Sequence, residues 1–449
     1  MADDVLELSR KAAKIILAMP KSTRFRVISH YDADGITAAG IICTALNREG
    51  YDFHVSLMRN PFTQGLERVK KEKNKIIIFS DMGSGQIETI EQFNCKAIII
   101  DHHQAHKSET SDDILQINAN LCGINGNYEA SGASLSYSVA KALSQENVDL
   151  APLALAGATG DKQYIGSIRG HNKTILEDAL KKGFLKKYTG IKLYGETLFD
   201  ALYYSVDPFY VGISGNKEAI HELLERLHLN KKAKIEDLND EQKRKLQSFL
   251  LLKLIKNGCE KNILDTVIRV RYWSEVLQCE LERFADLLDA CGKGGNRGIG
   301  LAVCLGDKSS FSEAVKLEKD YRQKILDELL NLEKDGVKEK AALRYFYSTR
   351  SSLGGVIGGI ATNFILDKKK PLLSLVKKEN ELHISGRGNQ YLVSNGLDLG
   401  SALKEVATSL NGNGGGHKIA AGATIDSKKE KEFLDAANMI LSKQMKVGI

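Results

Sequence analysis

Over roughly the first 185 residues, short runs of β-branched and other apolar residues alternate with longer stretches whose apolar positions recur at helical spacing. "RFRVIS" (24–29), "KIIIFS" (75–80) and "KAIII" (96–100) read as strands, each followed by acids or glycine. Between them "GITAAGIICTALNREG" (35–50) reads as a helix closed by Gly50, and "SGQIETIEQF" (84–93) as a helix capped by Ser84. An opening helix precedes the first strand. Repetition of strand, loop, helix and strand predicts an α/β class with a parallel sheet and helices packed on its faces.

The pattern then changes. Residues 218–258 are helical and lysine-rich without a strand signal, which predicts a helical insertion. "ERFADLLDACGKGGNRGIGLAVCLGD" (282–307) and a long helical stretch (310–336) lead into "RYFYS" (344–348), "PLLSLVKK" (371–378) and "ELHISGRG" (381–388). These three alternate like strands, the last two forming a hairpin around "KEN". The expected organisation is an α/β domain over 1–188, a mainly helical insertion over 189–275, a return to the first domain over 276–310, a linker helix over 311–338 and a smaller α+β domain over 339–449.

Composition narrows the class. An apolar fraction of 43% with 27% charged residues in 449 residues is that of a folded protein of two or three domains. A net charge of +6 permits a polyanionic partner without requiring one. Seven scattered cysteines with no CxxC pair argue against a disulfide framework or zinc knuckle and suit a reducing, cytoplasmic setting. The N-terminus is unlike a secretory signal, and no apolar run approaches ~18 residues, so no membrane is expected.

The chemistry lies where the strands end. The first expected strand leads into His30, Asp32 and Asp34, the second into Asp81, and the third into Asp101, His102 and His103. In a parallel sheet these ends share one edge, where open α/β sheets bind ligands. Asp161, in the glycine-flanked "ATGDKQ", offers a further acid. A single aspartate after a strand is ordinarily a turn or helix cap. Four such aspartates with imidazoles and no nearby cysteine make a hard, oxygen-rich site that favours Mn²⁺ or Mg²⁺ over zinc. That many ligands suggests two ions sharing a bridging acid, a pair suited to hydrolysing a phosphate ester or anhydride. At the other end of the chain, Gly414, Gly415, Gly416 and His417 allow backbone N–H groups close to an anion, and Arg387 could neutralise an adjacent phosphate.

"SHYDADG", "DMGSGQ", "DHHQ" and "GDKQ" resemble the four motifs of the DHH phosphoesterase family, and "GGGHKIAAGA" resembles the glycine-rich motif of the DHHA1 domain found in its RecJ-type exonuclease branch. The likeness covers about residues 20–185 and 340–449, and the stretch 284–307 is similar to archaeal RecJ-like nucleases. The resemblance implies that Asp32 and Asp34 hold the first and second metal ions, that Asp81 bridges them, and that His102 and Asp161 complete the second site. It also implies that His103 lies behind the ligands or contacts the phosphate, that Asp101 orients the two histidines, and that the glycine-rich segment holds a nucleotide. One position departs: many members carry a histidine four residues before the first aspartate, where this chain has Ile28, so ligation by His30 and contact of His30 with phosphate or water are both open.

The function so implied is a two-metal, Mn²⁺- or Mg²⁺-dependent exonuclease that degrades single-stranded DNA or RNA to mononucleotides, with 5′→3′ as the default direction and 3′→5′ open. A phosphodiesterase for short oligonucleotides or cyclic dinucleotides is the enzymatic alternative. A replication scaffold, binding GINS through the helical insertion, is the non-enzymatic one. Retention of all the motif acids disfavours a purely structural role, and the "GGGH" segment disfavours pyrophosphatase relatives.

Overall fold

Five strands, β1 (Arg24–His30), β2 (Asp52–Met58), β3 (Ile76–Ser80), β4 (Lys96–Asp101) and β5 (Ile114–Asn118), form an all-parallel sheet in the order β2-β1-β3-β4-β5. This computed structural model describes residues 2–59, 64–72, 74–105, 110–350 and 353–446. The inner strands are apolar throughout because both faces are covered. Val27, Ile78, Ile98 and Ile100 pack with the Ala33–Arg48 helix, while Ile28, Ile77, Phe79 and Ile99 face Leu66, Ile87 and Ile90 on the other side. The strand order reverses between β1 and β3, and such a switch point opens a crevice beyond the carboxyl ends of those strands.

Two strands of this sheet lie outside the sequence expectation. β2 is half-buried and alternates polar and apolar residues, and β5 carries Gln116 at its centre, so neither forms an uninterrupted β-branched run. Ser84 is not a helix cap. The short Ile87–Ile90 helix begins after Gln86, with no side-chain cap, and the buried Ser84 hydroxyl instead accepts from Gln116 and Asn118 of β5.

The chain forms two compact units, 1–190 with 269–319, and 191–268 with 320–449. It leaves the first along β6 (Leu185–Ile191) and returns along β7 (Ile268–Ser274), which with β8 (Cys279–Glu280) makes a small sheet in the order β6-β7-β8. In the second unit, Leu223, Leu250 and Leu254 of the helical insertion share one core with Leu326 and Leu329 and with Ile357 and Phe364. That unit also holds β9 (Lys338–Glu339), β10 (Arg344–Tyr347), β11 (Leu372–Lys378), β12 (Glu381–Arg387), β13 (Asn413–Gly416) and β14 (Ala420–Asp426), in the order β13-β14-β12-β11-β10-β9. The expected hairpin is present, closed by the pair Lys378 and Glu381. The Leu399–Ser409 and Glu430–Met445 helices cover one face through Leu403, Val406 and Phe433. No helix among the described residues is long and apolar enough to cross a membrane.

Candidate metal centre

The crevice at the switch point is where the motif residues meet. β1 ends at His30, and Asp32 follows as N-cap of the Ala33–Arg48 helix, one carboxylate oxygen accepting from the Gly35 N–H at 3.1 Å. Its other oxygen lies 2.8 Å from His30 Nδ1. Asp34, in the first turn, is fully buried and accepts from the N–H groups of Gly132 and Ala133 at 2.7 and 3.0 Å. Those donors open the Gly132–Leu143 helix, so the positive end of its dipole faces this carboxylate. Asp81 follows β3 with φ at +57°, a left-handed conformation that non-glycine residues seldom adopt and that is commonest where a site demands it. Asp161 caps the carboxyl end of the Ala151–Gly160 helix.

Three overlapping ligand groups result among the described residues. His30, Asp32 and Asp81 bring one nitrogen and two carboxylate oxygens within 4.8 Å of one another, so do Asp34, His102 and Asp161, and Asp81, His102 and His103 bring two nitrogens and one oxygen equally close. His102 Nε2 lies 3.1 Å from Asp81, 3.3 Å from Asp161 and 3.7 Å from Asp34, so Asp81 borders the Asp34 group as well. The His102 ring is fixed from behind: Nδ1 donates to the Gly126 carbonyl at 2.6 Å, which leaves Nε2 as the atom turned to the acids. Buried Nε2 of His102, Nδ1 of His30 and Oδ1 of Asp81 lie within ion-pair distance of their neighbours but make no hydrogen bond of good geometry. Imidazole nitrogens and carboxylate oxygens crowded within 2.8–3.7 Å without well-formed hydrogen bonds are what a hard divalent cation satisfies, so the residues fit such an ion.

The electrostatics express the same crowding. Burial and the Asp81 charge push Asp34 up to about 7, and burial with Asp34 raises Asp161 well above the usual carboxylate range. Burial opposes ionisation of Asp81 too, but His102 and His30 override it and hold that carboxyl low. Burial would lower the histidines, yet Asp32 and Asp81 raise His30 to about 11, and Asp81, Asp161 and Asp34 raise His102. Without a divalent cation, protons must balance the charge.

Asp101 stands one step back and holds His103, whose ring reaches the Asp81 and His102 group from the rim. The buried Asp101 carboxylate accepts from the backbone of His102 and His103 and from His103 Nδ1 through one oxygen, and from the Ser84 N–H through the other. His103 is thereby held with its ring more than half exposed at the rim.

Several supports were not read from the sequence. A Cβ on Gly132 would come 2.5 Å from Asp81 Cβ, and one on Gly157 would come 2.5 Å from an Asp34 oxygen, so both helices approach the acids only because these positions are bare. Asn118 and Asn120 hold the carbonyls of His102 and His103, and Gln163 donates to the Gly126 and Ala130 carbonyls. Tyr164, three residues beyond Asp161, donates to Glu282, whose other oxygen takes Arg269 and the wholly buried Arg271. Arg269 also lies 3.6 Å above the Tyr164 ring. Beside the centre, Arg59 and Arg297 lie 5.9 and 5.5 Å from the Tyr31 ring. The cluster of amides just after an apolar strand, "ILQINAN", is the signal that marks the asparagines.

In the second unit Gly414, Gly415, Gly416 and His417 line a concavity of about 490 Å³ with Ser401, Lys404 and Lys418. Arg387 does not line it. Alternation along β12 sends Arg387 to the opposite face of the sheet, where its guanidinium packs over Gly355 and Gly358 of the Gly354–Phe364 helix.

Residues 24–158 match the DHH family, N-terminal domain, and residues 344–443 match the DHHA1 domain. The Uncharacterized protein MJ0831 of Methanocaldococcus jannaschii is 31% identical over 429 residues, 94% of each chain. Among solved structures, RecJ from Thermus thermophilus in complex with Mn²⁺ superposes with a TM-score of 0.60 at 17% identity over 97% of this chain. The chain spans 55% of that RecJ's length. CDC45 from Entamoeba histolytica gives 0.64 at 14% identity, with 98% of each chain covered.

Proposed function

The chain belongs to the DHH family and carries its DHHA1 domain, which makes it a phosphoesterase by class, and from that premise we propose a single-strand-specific exonuclease dependent on two divalent ions, Mn²⁺ or Mg²⁺. One observation carries the reading: three overlapping ligand groups meet around one shared carboxylate, Asp81, with the ring nitrogens of His30 and His102 turned to the acids. His30, Asp32 and Asp81 would hold one ion, and Asp34, Asp81, His102 and Asp161 the other. When bound, such a pair neutralises a phosphoryl group and lowers the pKa of water at the site.

The residues themselves supply the rest. Asp101 orients His102 and His103 by accepting their N–H groups, and His103 presents its free edge to a phosphate at the rim. Arg59 and Arg297, beside Tyr31, hold phosphates flanking the scissile one by charge. The glycine-rich concavity with His417 and Lys404 holds a nucleotide. The likeness to RecJ in fold supports a strand substrate.

The test is digestion of end-labelled single-stranded DNA and RNA of several lengths with Mn²⁺, comparing the native chain with Asp81→Ala. Mononucleotide release that Asp81→Ala abolishes is expected. Full activity in Asp81→Ala would refute the shared-carboxylate centre, and products confined to dinucleotide substrates would replace the strand with a short one.

A further inference from the structure

Between β10, β11 and the turn that leads from β14 into the Glu430–Met445 helix lies a concavity of about 540 Å³ that no sequence motif marks. Lys340, Lys377, Lys428 and Lys431 line it, with Tyr345 and a single acid, Glu430. That acid is already engaged, by Lys377 at 2.7 Å and by the Tyr347 hydroxyl. Lys340 pairs with Asp435 at 2.6 Å, whereas Lys428 and Lys431 have no acidic partner within 4.0 Å among the described residues. Beside the concavity the Tyr347 ring is 45% exposed, with Lys338 Nζ 4.9 Å and Lys377 Nζ 5.9 Å from its centroid. Tyr345 stands edge-on to it at 6.2 Å.

Unpaired ammonium groups around an open aromatic face suit a ligand with both phosphates and planar rings. A strand of nucleic acid has both: its phosphates meet lysines, and its bases stack on exposed aromatic side chains whatever their sequence. An acidic peptide would use the lysines and leave the ring idle. A duplex would offer no open base.

We infer that this concavity of the C-terminal domain is a second contact site for single-stranded nucleic acid, with Lys428 and Lys431 on phosphates and Tyr347 under a base. The inference rests on the proposed strand substrate and deepens it. Tyr347 on β10 stands four strand spacings from β13, roughly 19 Å across the sheet, so engaging its ring and the glycine-rich concavity together takes a strand rather than a cyclic dinucleotide.

Binding is read on the full chain carrying Asp81→Asn, which halts cleavage, by fluorescence anisotropy of a labelled single-stranded 20-mer across a salt series. Lys428→Glu with Lys431→Glu should weaken binding at least tenfold and reduce the log–log salt slope by about 1.4, which is about 0.7 for each phosphate no longer neutralised. Lys428→Ala with Lys431→Ala, the milder pair, should lower the slope equally. Tyr347→Ala should weaken binding by about fivefold or more while leaving the slope unchanged, because stacking releases no counterions. Unchanged affinity and slope in the lysine variants would overturn the inference, and so would displacement of the strand by polyglutamate or by duplex as effectively as by unlabelled single strand. Nucleotide release by the native chain is measured separately. If release fails while the variants behave as stated, the exonuclease reading falls and the binding site stands.

Discussion

Replacing Asp101 with asparagine changes one atom of a buried side chain and tests how far the centre depends on what lies behind it. The carboxylate accepts four N–H groups, three on Oδ1 at 2.8, 3.1 and 2.8 Å and one on Oδ2 at 2.9 Å. An amide has one oxygen, so its better orientation keeps the three donors from His102 and His103 and sets its NH₂ against the Ser84 N–H. Losing that charge-assisted bond and leaving a buried donor unpaired costs about 2–3 kcal/mol. Weakening the other three from ionic to neutral adds to it, so Asp101→Asn should lose roughly 3 kcal/mol or more of folding stability in urea at pH 7 with EDTA present.

The same change frees the histidines, and loss of a group that orients ligands typically lowers metal affinity by about 10–100-fold. Mn²⁺ titration calorimetry should show that drop. There is also a pH signature. Asp101 is held below the usual carboxylate range, by His103 and His102 against the opposing effect of burial. Its stabilisation is therefore present above the unfolded value of about 3.9 and lost as pH falls through the folded one. The gap between native and variant should narrow below about pH 4. A stability within about 0.5 kcal/mol of native at pH 7, together with unchanged Mn²⁺ affinity, would refute the reasoning, because the four donors would then be satisfied without the carboxylate.

Gly132→Ala drives a Cβ to 2.5 Å from Asp81 and should lower Mn²⁺ affinity at least tenfold while costing about 1–3 kcal/mol of stability; native affinity in calorimetry would contradict the close-packing argument. In EDTA, melting temperature should fall between pH 6 and pH 8: Asp34, raised to about 7, disfavours the fold as pH rises from its unfolded value towards 7, and His30, raised to about 11, gives up stability once pH passes about 6.5. Saturating Mn²⁺ should therefore raise the melting temperature more at pH 8 than at pH 6, and an equal gain at both would count against the ligand set. Glu282→Ala takes the close carboxylate from buried Arg271, leaving it the Gly190 carbonyl at 3.1 Å and Glu280 at 3.7 Å, and should destabilise by roughly 3 kcal/mol in thermal unfolding; a loss below about 1 kcal/mol would show the network to be incidental.

The legible parts of the chain share one cause. β1, β3 and β4 are buried on both faces, so burial demands unbroken apolar runs, and the acids that follow stand out against them. β2 and β5, at the edges, lack that demand; β2 shows only alternation, and the amide in β5 serves the loop beside the histidines. Ser84 looked like a cap because caps are local, but its hydroxyl answers β5, some thirty positions away. Arg387 sits near the glycine-rich segment in sequence and pairing, yet strand alternation places its side chain on the other face. Gly132 and Gly157 carry no sequence signal, since what a Cβ would strike depends on helices meeting in three dimensions.

The Asp34 and His30 ligand groups differ in how far solvent reaches them. In one group Asp34 and His102 are buried and Asp161 alone meets solvent, by about a quarter of its side chain; in the other Asp81 is buried and both His30 and Asp32 meet solvent to that extent. A cation held by the Asp34 group would meet water past Asp161 alone, whereas one held by the His30 group would meet it past two of its three ligands. The consequence would be a difference in residence time, the His30 side exchanging with the medium more readily and following the free cation concentration more closely.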